Sequence, residues 1–222
     1  MDIILLLIII LLPLLAQLNV TATFKKYSKV ANSRGLTGEQ VARRILDANG
    51  LYSTRIEHIS GNLTDHYDPT ENVVRLSDSV YDKTSVAALG VAAHECGHVC
   101  QHAESYTPIV IRSKIVPAVN ICSRFWYFVF LIGVLVFQAF PALVYIGIIM
   151  FAAVVVFQLV TLPTELNASS RALQTLENDS ILESSEIPAA RKVLTAAAMT
   201  YIVGLVTSIL QLLRLLRMVN RR

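Results

Sequence analysis

The sequence predicts a mainly α-helical integral membrane protein, with about four transmembrane helices and a small helical domain that contains a short β element. Charged residues make up only 16% of the 222 residues, against about 25% in typical soluble domains. Three long stretches lack Asp, Glu, Lys, Arg and His altogether. The net charge of +3 is too small to indicate a nucleic-acid partner, and three cysteines do not make a disulfide framework.

The three uncharged stretches are residues 3–24, 125–164 and 193–213. About 20 helical residues cross a bilayer core, so the first and third stretches are each one span long. The second contains 40 residues, which is too long for one span, and Pro141 near its middle predicts a hairpin of two spans. The first stretch could instead be a cleaved signal peptide, but it lacks a basic n-region and a small-residue cleavage site.

These stretches predict five segments. They are a transmembrane anchor over 1–24, a polar region over 25–124, the transmembrane hairpin over 125–164, a second polar region over 165–192, and a C-terminal transmembrane helix with a basic tail over 193–222. A hairpin returns the chain to the side it left, so we expect both polar regions to build one domain. The last stretch contains Thr, Ser and Gln side chains. It could therefore be a helix that lies partly on the protein instead of a membrane span.

The orientation of this multi-pass protein follows from its basic residues. Lys25, Lys26 and Lys29 come directly after the first span, so the positive-inside rule predicts that the polar domain is cytoplasmic. The arginines of the C-terminal tail argue for the opposite orientation if the last helix spans: Arg214, Arg217, Arg221 and Arg222. We give the first span more weight because it usually sets the topology.

The first polar region begins with a predicted helix over 25–49, in which Thr37 and Gln40 resemble a capping box. Alternating apolar residues predict short strands over 55–59 and 73–76. From Thr84 or Ser85 onward, the dense apolar sequence Val-Ala-Ala-Leu-Gly-Val-Ala-Ala predicts a buried helix.

Between the two strands, residues 65–69 read Asp-His-Tyr-Asp-Pro and predict a polar loop. The Asp-Pro pair is typical of a turn. His66 is either part of that turn or faces an active site.

A metal motif lies inside the predicted buried helix. His94 and His98 are four residues apart, so they project from one helical face and can bind one zinc ion. Glu95, next to the first histidine, can serve as general base. Two histidines and a carboxylate in an apolar helix would cost several kcal/mol if unpaired, which favours a metal site over hydrogen-bonded core histidines.

A zinc site of this kind needs a third protein ligand and an open position for water. The candidates are Glu165, His66, Asp65 and Glu104. Glu165 directly follows the 40 uncharged residues; its alternative role is a helix-start carboxylate beside a capping Thr164.

Other residues of the motif helix have supporting roles. Gly97 predicts that another element approaches the helix closely. Cys96 and Cys100 share the face turned away from the histidines, so we expect small core residues rather than ligands. Gln101 and His102 are expected to support the site or the fold, since one ion cannot reach both His94 and His102.

The chain resembles the YugP-type membrane zinc metallopeptidases, and its arrangement is similar to that of HtpX-type membrane proteases. The matching stretches, which cover nearly the whole chain, are Gly-Leu-Thr-Gly at 35–38, residues 63–69, residues 91–98, Gln-His-Ala at 101–103, residues 161–169 and residues 196–201. The resemblance implies a zincin-like domain in a bacterial-type cell membrane, with Zn²⁺ held by His94, His98 and Glu165. Where HtpX-type proteases have an aspartate this chain has Ser169, and Asn167 is the candidate to replace it.

The expected function is a membrane-embedded zinc endopeptidase in which Glu95 is the base. Arg171 or His66 is the candidate to stabilise the oxyanion. The expected partners are the lipid bilayer and protein or peptide substrates, membrane proteins among them. The alternative is a non-catalytic zinc-binding scaffold or a transporter component. A transporter would be expected to carry His, Asp or Glu inside its spans, and the uncharged stretches contain none.

Overall fold

The computed structural model describes residues 2–220, with side chains for residues 3–220. It confirms the predicted fold class: within these residues the chain forms mostly helices, and four of them are long and apolar enough to cross a membrane. These four helices are α1 (Asp2–Tyr27), α4 (Thr107–Leu135), α5 (Ala142–Asn178) and α6 (Ile187–Asn220). The predicted tail arginines Arg221 and Arg222 lie outside the described residues.

The remaining elements are two shorter helices and three strands. They are α2 (Gly38–Ala48), β1 (Arg55–Ile59), β2 (His66–Asp68), β3 (Val73–Ser77) and α3 (Val86–Ala103). The chain forms two compact units, and the unit with the metal motif consists of residues 17–106 and 164–199.

In the other unit, α4 and the part of α5 up to Pro163 form the predicted hairpin. They are separated by residues 136–141, which end in Pro141. The two helices approach each other at Gly147, where a Cβ would lie 2.7 Å from the Cβ of Phe130. Because such a contact is too short for any side chain, glycine is needed for this approach. The helix α4 begins at Thr107, well before the uncharged stretch, and therefore includes Arg112, Lys114 and Arg124.

The prediction of one helix over residues 25–49 is wrong. Between α1 and α2 the chain turns: Gly35 takes a positive φ of 64°, and the Asn32 side chain bonds to the backbone of Leu36 and of Thr84. The local bonds to Leu36 and the tertiary bond to Thr84 compete with helix formation at this point. The capping box of Thr37 and Gln40 at the start of α2 is confirmed.

The three strands form one sheet in the order β1-β3-β2, in which β3 is parallel to β1 and antiparallel to β2. The two predicted strands are confirmed. The loop predicted at 65–69 is wrong for residues 66–68, because His66–Asp68 is a strand that pairs with β3. The three-residue strand has too little apolar alternation to be seen in the sequence. It forms because the edge of β3 that is not paired with β1 offers its backbone hydrogen-bonding groups to residues 66–68.

The core of the motif unit surrounds α3. Ser85 caps this helix by accepting a hydrogen bond from the Ala88 N–H. The apolar face of α2, formed by Val41, Ala42 and Ile45, is at most 2% exposed and belongs to the same buried cluster as α3. Cys96 is fully buried and Cys100 is 8% exposed, in agreement with their predicted role as core residues. The motif helix is therefore held rigidly on its non-ligand side.

Candidate metal centre

Three side chains converge in the motif unit: His94 and His98 of α3 and Glu165 of α5. Glu165 Oε2 lies 3.3 Å from His94 Nε2 and 3.5 Å from His98 Nε2. Ligand atoms about 2.0–2.1 Å from one tetrahedral zinc ion lie roughly 3.4 Å from each other. The spacing and chemistry of these donors therefore fit a zinc ion.

The convergence depends on a close approach of two helices. A Cβ at Gly97 would lie 2.9 Å from the carbonyl oxygen of Ala168 in α5, so the predicted close approach at Gly97 is confirmed. Because α3 and α5 pack nearly backbone to backbone here, Glu165 reaches both imidazoles. Glu165 lies well inside α5, which begins at Ala142, so the alternative interpretation as a helix-start carboxylate is wrong.

The site is buried but reachable. The side chains of His94 and His98 are 14% and 11% exposed, against 3% for Glu165. Glu95, also on α3, is 8% exposed as a residue. Burial lowers the pKa of His98, but its contact with Glu165 and the charge of Glu95 outweigh burial and raise that pKa above its usual value. The carboxylates thus create a negative environment that attracts a cation.

Gln101 holds His98 in one orientation. The Gln101 Nε2 group donates to the Thr164 carbonyl at 2.8 Å and to Asn167 Oδ1 at 2.9 Å. Since a carbonyl only accepts, this fixes the amide, and Gln101 Oε1 at 3.0 Å must accept from the Nδ1–H of His98. The Nε2 lone pair of His98 then faces Glu165, as metal binding requires. Gln101 is fully buried, in agreement with its predicted supporting role.

His94 has a different partner. Its Nδ1 lies 3.1 Å from the hydroxyl of Ser169, at the position where the resemblance places an aspartate. Asn167 instead contacts Gln101 and Arg171, so the expectation that Asn167 replaces the aspartate is wrong. Ser169 lies one turn after Glu165 on α5, and this spacing was the available signal for its role.

Glu104, a candidate third ligand, and Arg171, a candidate for oxyanion stabilisation, contact each other rather than the metal cluster. The Arg171 guanidinium donates two hydrogen bonds to Glu104, at 2.8 and 2.7 Å, and one to Asn167. The contact with Arg171 lowers the pKa of Glu104. Neither residue belongs to the three-residue cluster, and a role for Arg171 at the oxyanion stays a prediction.

Asp65 and His66 also stand apart from the cluster. Asp65 accepts hydrogen bonds from the N–H and the hydroxyl of Ser77, while burial raises the pKa of Asp65. His66 is exposed, and its Nδ1 lies 2.9 Å from the Thr64 carbonyl. Asp65 therefore has a structural contact, and a catalytic role for His66 stays a prediction. His102 packs edge-on against Tyr67, with ring centroids 5.4 Å apart.

Comparison with known proteins agrees with this geometry. The family model described as "Putative neutral zinc metallopeptidase" matches residues 2–220. The chain belongs to this family. It is also 50% identical to "Putative membrane protease YugP" of Bacillus subtilis (strain 168), over 90% of this chain and 88% of that protein. No solved structure matches the chain. The family membership, which the resemblance predicted, makes zinc the metal expected at the cluster.

Proposed function

We propose that this protein is a membrane-embedded endopeptidase that hydrolyses peptide bonds with zinc held by His94, His98 and Glu165. The observation that carries the proposal is the convergence of these three donors, at distances of 3.3 and 3.5 Å between nitrogens and carboxylate oxygen. Three protein ligands leave the fourth position of a tetrahedral ion open, which is the pattern of catalytic rather than structural zinc sites.

In this proposal each side chain of the motif has a distinct task. When bound, zinc supplies Lewis-acid chemistry, lowering the pKa of a water molecule and polarising a carbonyl. Glu95 accepts the proton of the attacking water and then donates it to the leaving amine. Glu95 adjoins His94 on α3 and is 8% exposed as a residue. Its carboxylate is therefore close to the zinc ligands without being one of them. Gln101 and Ser169 orient the two imidazoles.

The substrate class follows from the chain around Glu165. This residue comes directly after 40 uncharged residues of the hairpin, on the same continuous helix α5. We therefore propose substrates close to the bilayer, either membrane proteins or peptides near its surface. The lysines that follow the first span support a cytoplasmic active site.

The proposal is tested with the purified full-length protein and its Glu95→Gln variant. We expect both proteins to contain one equivalent of zinc, because Glu95 is not a ligand. We expect peptide cleavage by the variant to fall about 10²–10⁴-fold, the contribution of a general base. A control variant, Glu71→Gln, changes a carboxylate in the turn between β2 and β3 and should retain full cleavage.

Two outcomes would contradict the proposal. A wild-type protein that binds zinc but cleaves no peptide would indicate the non-catalytic scaffold. Equal cleavage by wild type and variant would remove Glu95 from the mechanism. The sidedness is tested separately by a topology reporter inserted after Gly61, in the turn between β1 and β2, where a periplasmic signal would reverse the proposed orientation.

A further inference from the structure

A cavity lies in the motif unit, and none of the three residues of the metal cluster lines it. Its volume is about 460 Å³, and it is formed by the C-terminal part of α1 and the N-terminal part of α6. Three basic side chains line it: Lys26 from α1, and Arg191 and Lys192 from α6. The other polar lining residues are an asparagine and two threonines, and no acidic residue lines the cavity.

The positive charge of this cavity is not neutralised by the protein. The ion pairs between described residues do not include Lys26, Arg191 or Lys192. The Nζ of Lys26 lies 5.6 Å from the centre of the Tyr27 ring, which carries no formal charge. Three cations that share one concave surface without a counter-charge attract an anion.

The cavity also has an apolar part, and this part indicates which kind of anion binds. Tyr27, Ala196 and Met199 line it together with the basic residues. A free inorganic anion would gain nothing from these apolar side chains, whereas a phospholipid carries a phosphate next to its glycerol and acyl chains. A zwitterionic headgroup would bring its own cation close to three others, so a net negative headgroup is favoured.

The cavity also lies at the ends of two membrane-crossing sequences. Lys26 follows closely after the uncharged residues 3–24, and Lys192 directly precedes the uncharged residues 193–213. These positions place the basic side chains at the level of lipid headgroups on the same side of the membrane. Basic pockets between transmembrane helices are a known way of binding such headgroups.

We propose that this cavity binds one anionic membrane phospholipid, with Lys26, Arg191 and Lys192 on its phosphodiester and Tyr27, Ala196 and Met199 beside the start of its acyl chains. The lipid links the end of α1 to the start of α6. This part of α6 packs on the motif helix, since a Cβ at Gly90 of α3 would lie 3.8 Å from the Cβ of Ala190. Lipid binding therefore stabilises the motif unit, whether or not that unit hydrolyses peptides.

The experiment uses the full-length protein in neutral detergent, mixed with equimolar phosphatidylglycerol and phosphatidylcholine. Native mass spectrometry measures the lipid retained, and thermal unfolding measures the shift in Tm. We expect wild type to retain one phosphatidylglycerol in preference to phosphatidylcholine and to gain Tm. In the triple variant Lys26→Gln/Arg191→Gln/Lys192→Gln, affinity for phosphatidylglycerol should fall roughly 100-fold, since each cation contributes about fivefold.

A matched variant separates the cavity from general surface charge. Lys25→Gln/Lys29→Gln/Arg34→Gln removes the same charge from exposed residues near the end of α1 that do not line the cavity, and it should retain the lipid like wild type. Equal loss in both triple variants, or equal retention of both lipids by wild type, would overturn the proposal. If sodium phosphate alone gives the same Tm gain and competes for the site, the occupant is a free phosphate and the lipid assignment is wrong.

Discussion

The two histidines of the metal centre are held in different ways, although they lie one turn apart on the same helix. His98 is fixed by Gln101, whose amide is itself held by two acceptors on α5. The Nδ1 of His94 instead meets the hydroxyl of Ser169, which can both donate and accept and so does not select one tautomer. The His98 side is therefore preorganised for metal binding, whereas the His94 side depends more on the metal and on Glu165.

Glu165 lies next to both histidines, so its removal should cause the largest loss of zinc affinity. We expect Glu165→Ala to weaken zinc binding more than about 100-fold, beyond the 10–100-fold typical of residues that only orient a ligand. Glu165→Asp should bind zinc with intermediate affinity, because its carboxylate is one methylene short. Zinc competition with a chelator measures both.

Glu104→Ala is the matched control for Glu165→Ala, since Glu104 was a rival third ligand but contacts Arg171 instead. It should bind zinc like wild type. If Glu104→Ala lost zinc and Glu165→Ala kept it, the ligand assignment would be reversed.

Gln101 and its hydrogen bonds to His98, Thr164 and Asn167 form the Gln101 network. Its loss should cause the second-largest fall in zinc affinity. Gln101→Leu leaves the Thr164 carbonyl and the His98 Nδ1–H without this buried partner, and we expect zinc affinity to fall about 10–100-fold. The variant Cys100→Ala changes a neighbouring buried side chain of α3 outside the network and should bind zinc normally. An unchanged affinity in Gln101→Leu would mean that packing alone orients His98.

Zinc affinity should be less sensitive to replacement of Ser169, which contacts His94. We expect Ser169→Ala to weaken zinc binding about 2–10-fold, the effect of losing one ordinary hydrogen bond. Ser169→Asp should strengthen zinc binding relative to Ser169→Ala, because a carboxylate accepts from the His94 Nδ1–H more strongly than a hydroxyl. A loss in Ser169→Ala as large as in Gln101→Leu would show that the two sides are held equally well.

Arg171 bonds to Asn167 at the outer end of the Gln101 network. Its replacement should cause the smallest change in zinc affinity. Arg171 pairs with the half-exposed Glu104, and exposed ion pairs contribute about 0–1 kcal/mol. We therefore expect Arg171→Gln to change zinc affinity less than about threefold. Kinetics of the same variant test the other predicted role, because a 10²-fold fall in kcat with zinc retained would assign Arg171 to oxyanion stabilisation.

The sequence alone determined the features that depend on local pattern. Charge-free stretches predicted the membrane-crossing helices, because each charge in hydrocarbon is costly. The spacing of His94 and His98 predicted a shared helical face, and Thr37 with Gln40 predicted a cap; each of these involves residues within one turn. The sequence pattern left Glu165 as one of four candidates for the third ligand. Similarity to a known family selected it, although it lies far along the chain from the two histidines.

Only the tertiary structure decided what depends on contacts between distant segments. The strand β2 forms by pairing with β3, and the predicted helix over 25–49 is broken where Asn32 bonds to Thr84, 52 residues away. The difference between the two histidines likewise depends on how closely α5 approaches Gly97. Local periodicity describes the face of one helix, but the partner of that face is set by packing between backbones, which no single segment encodes.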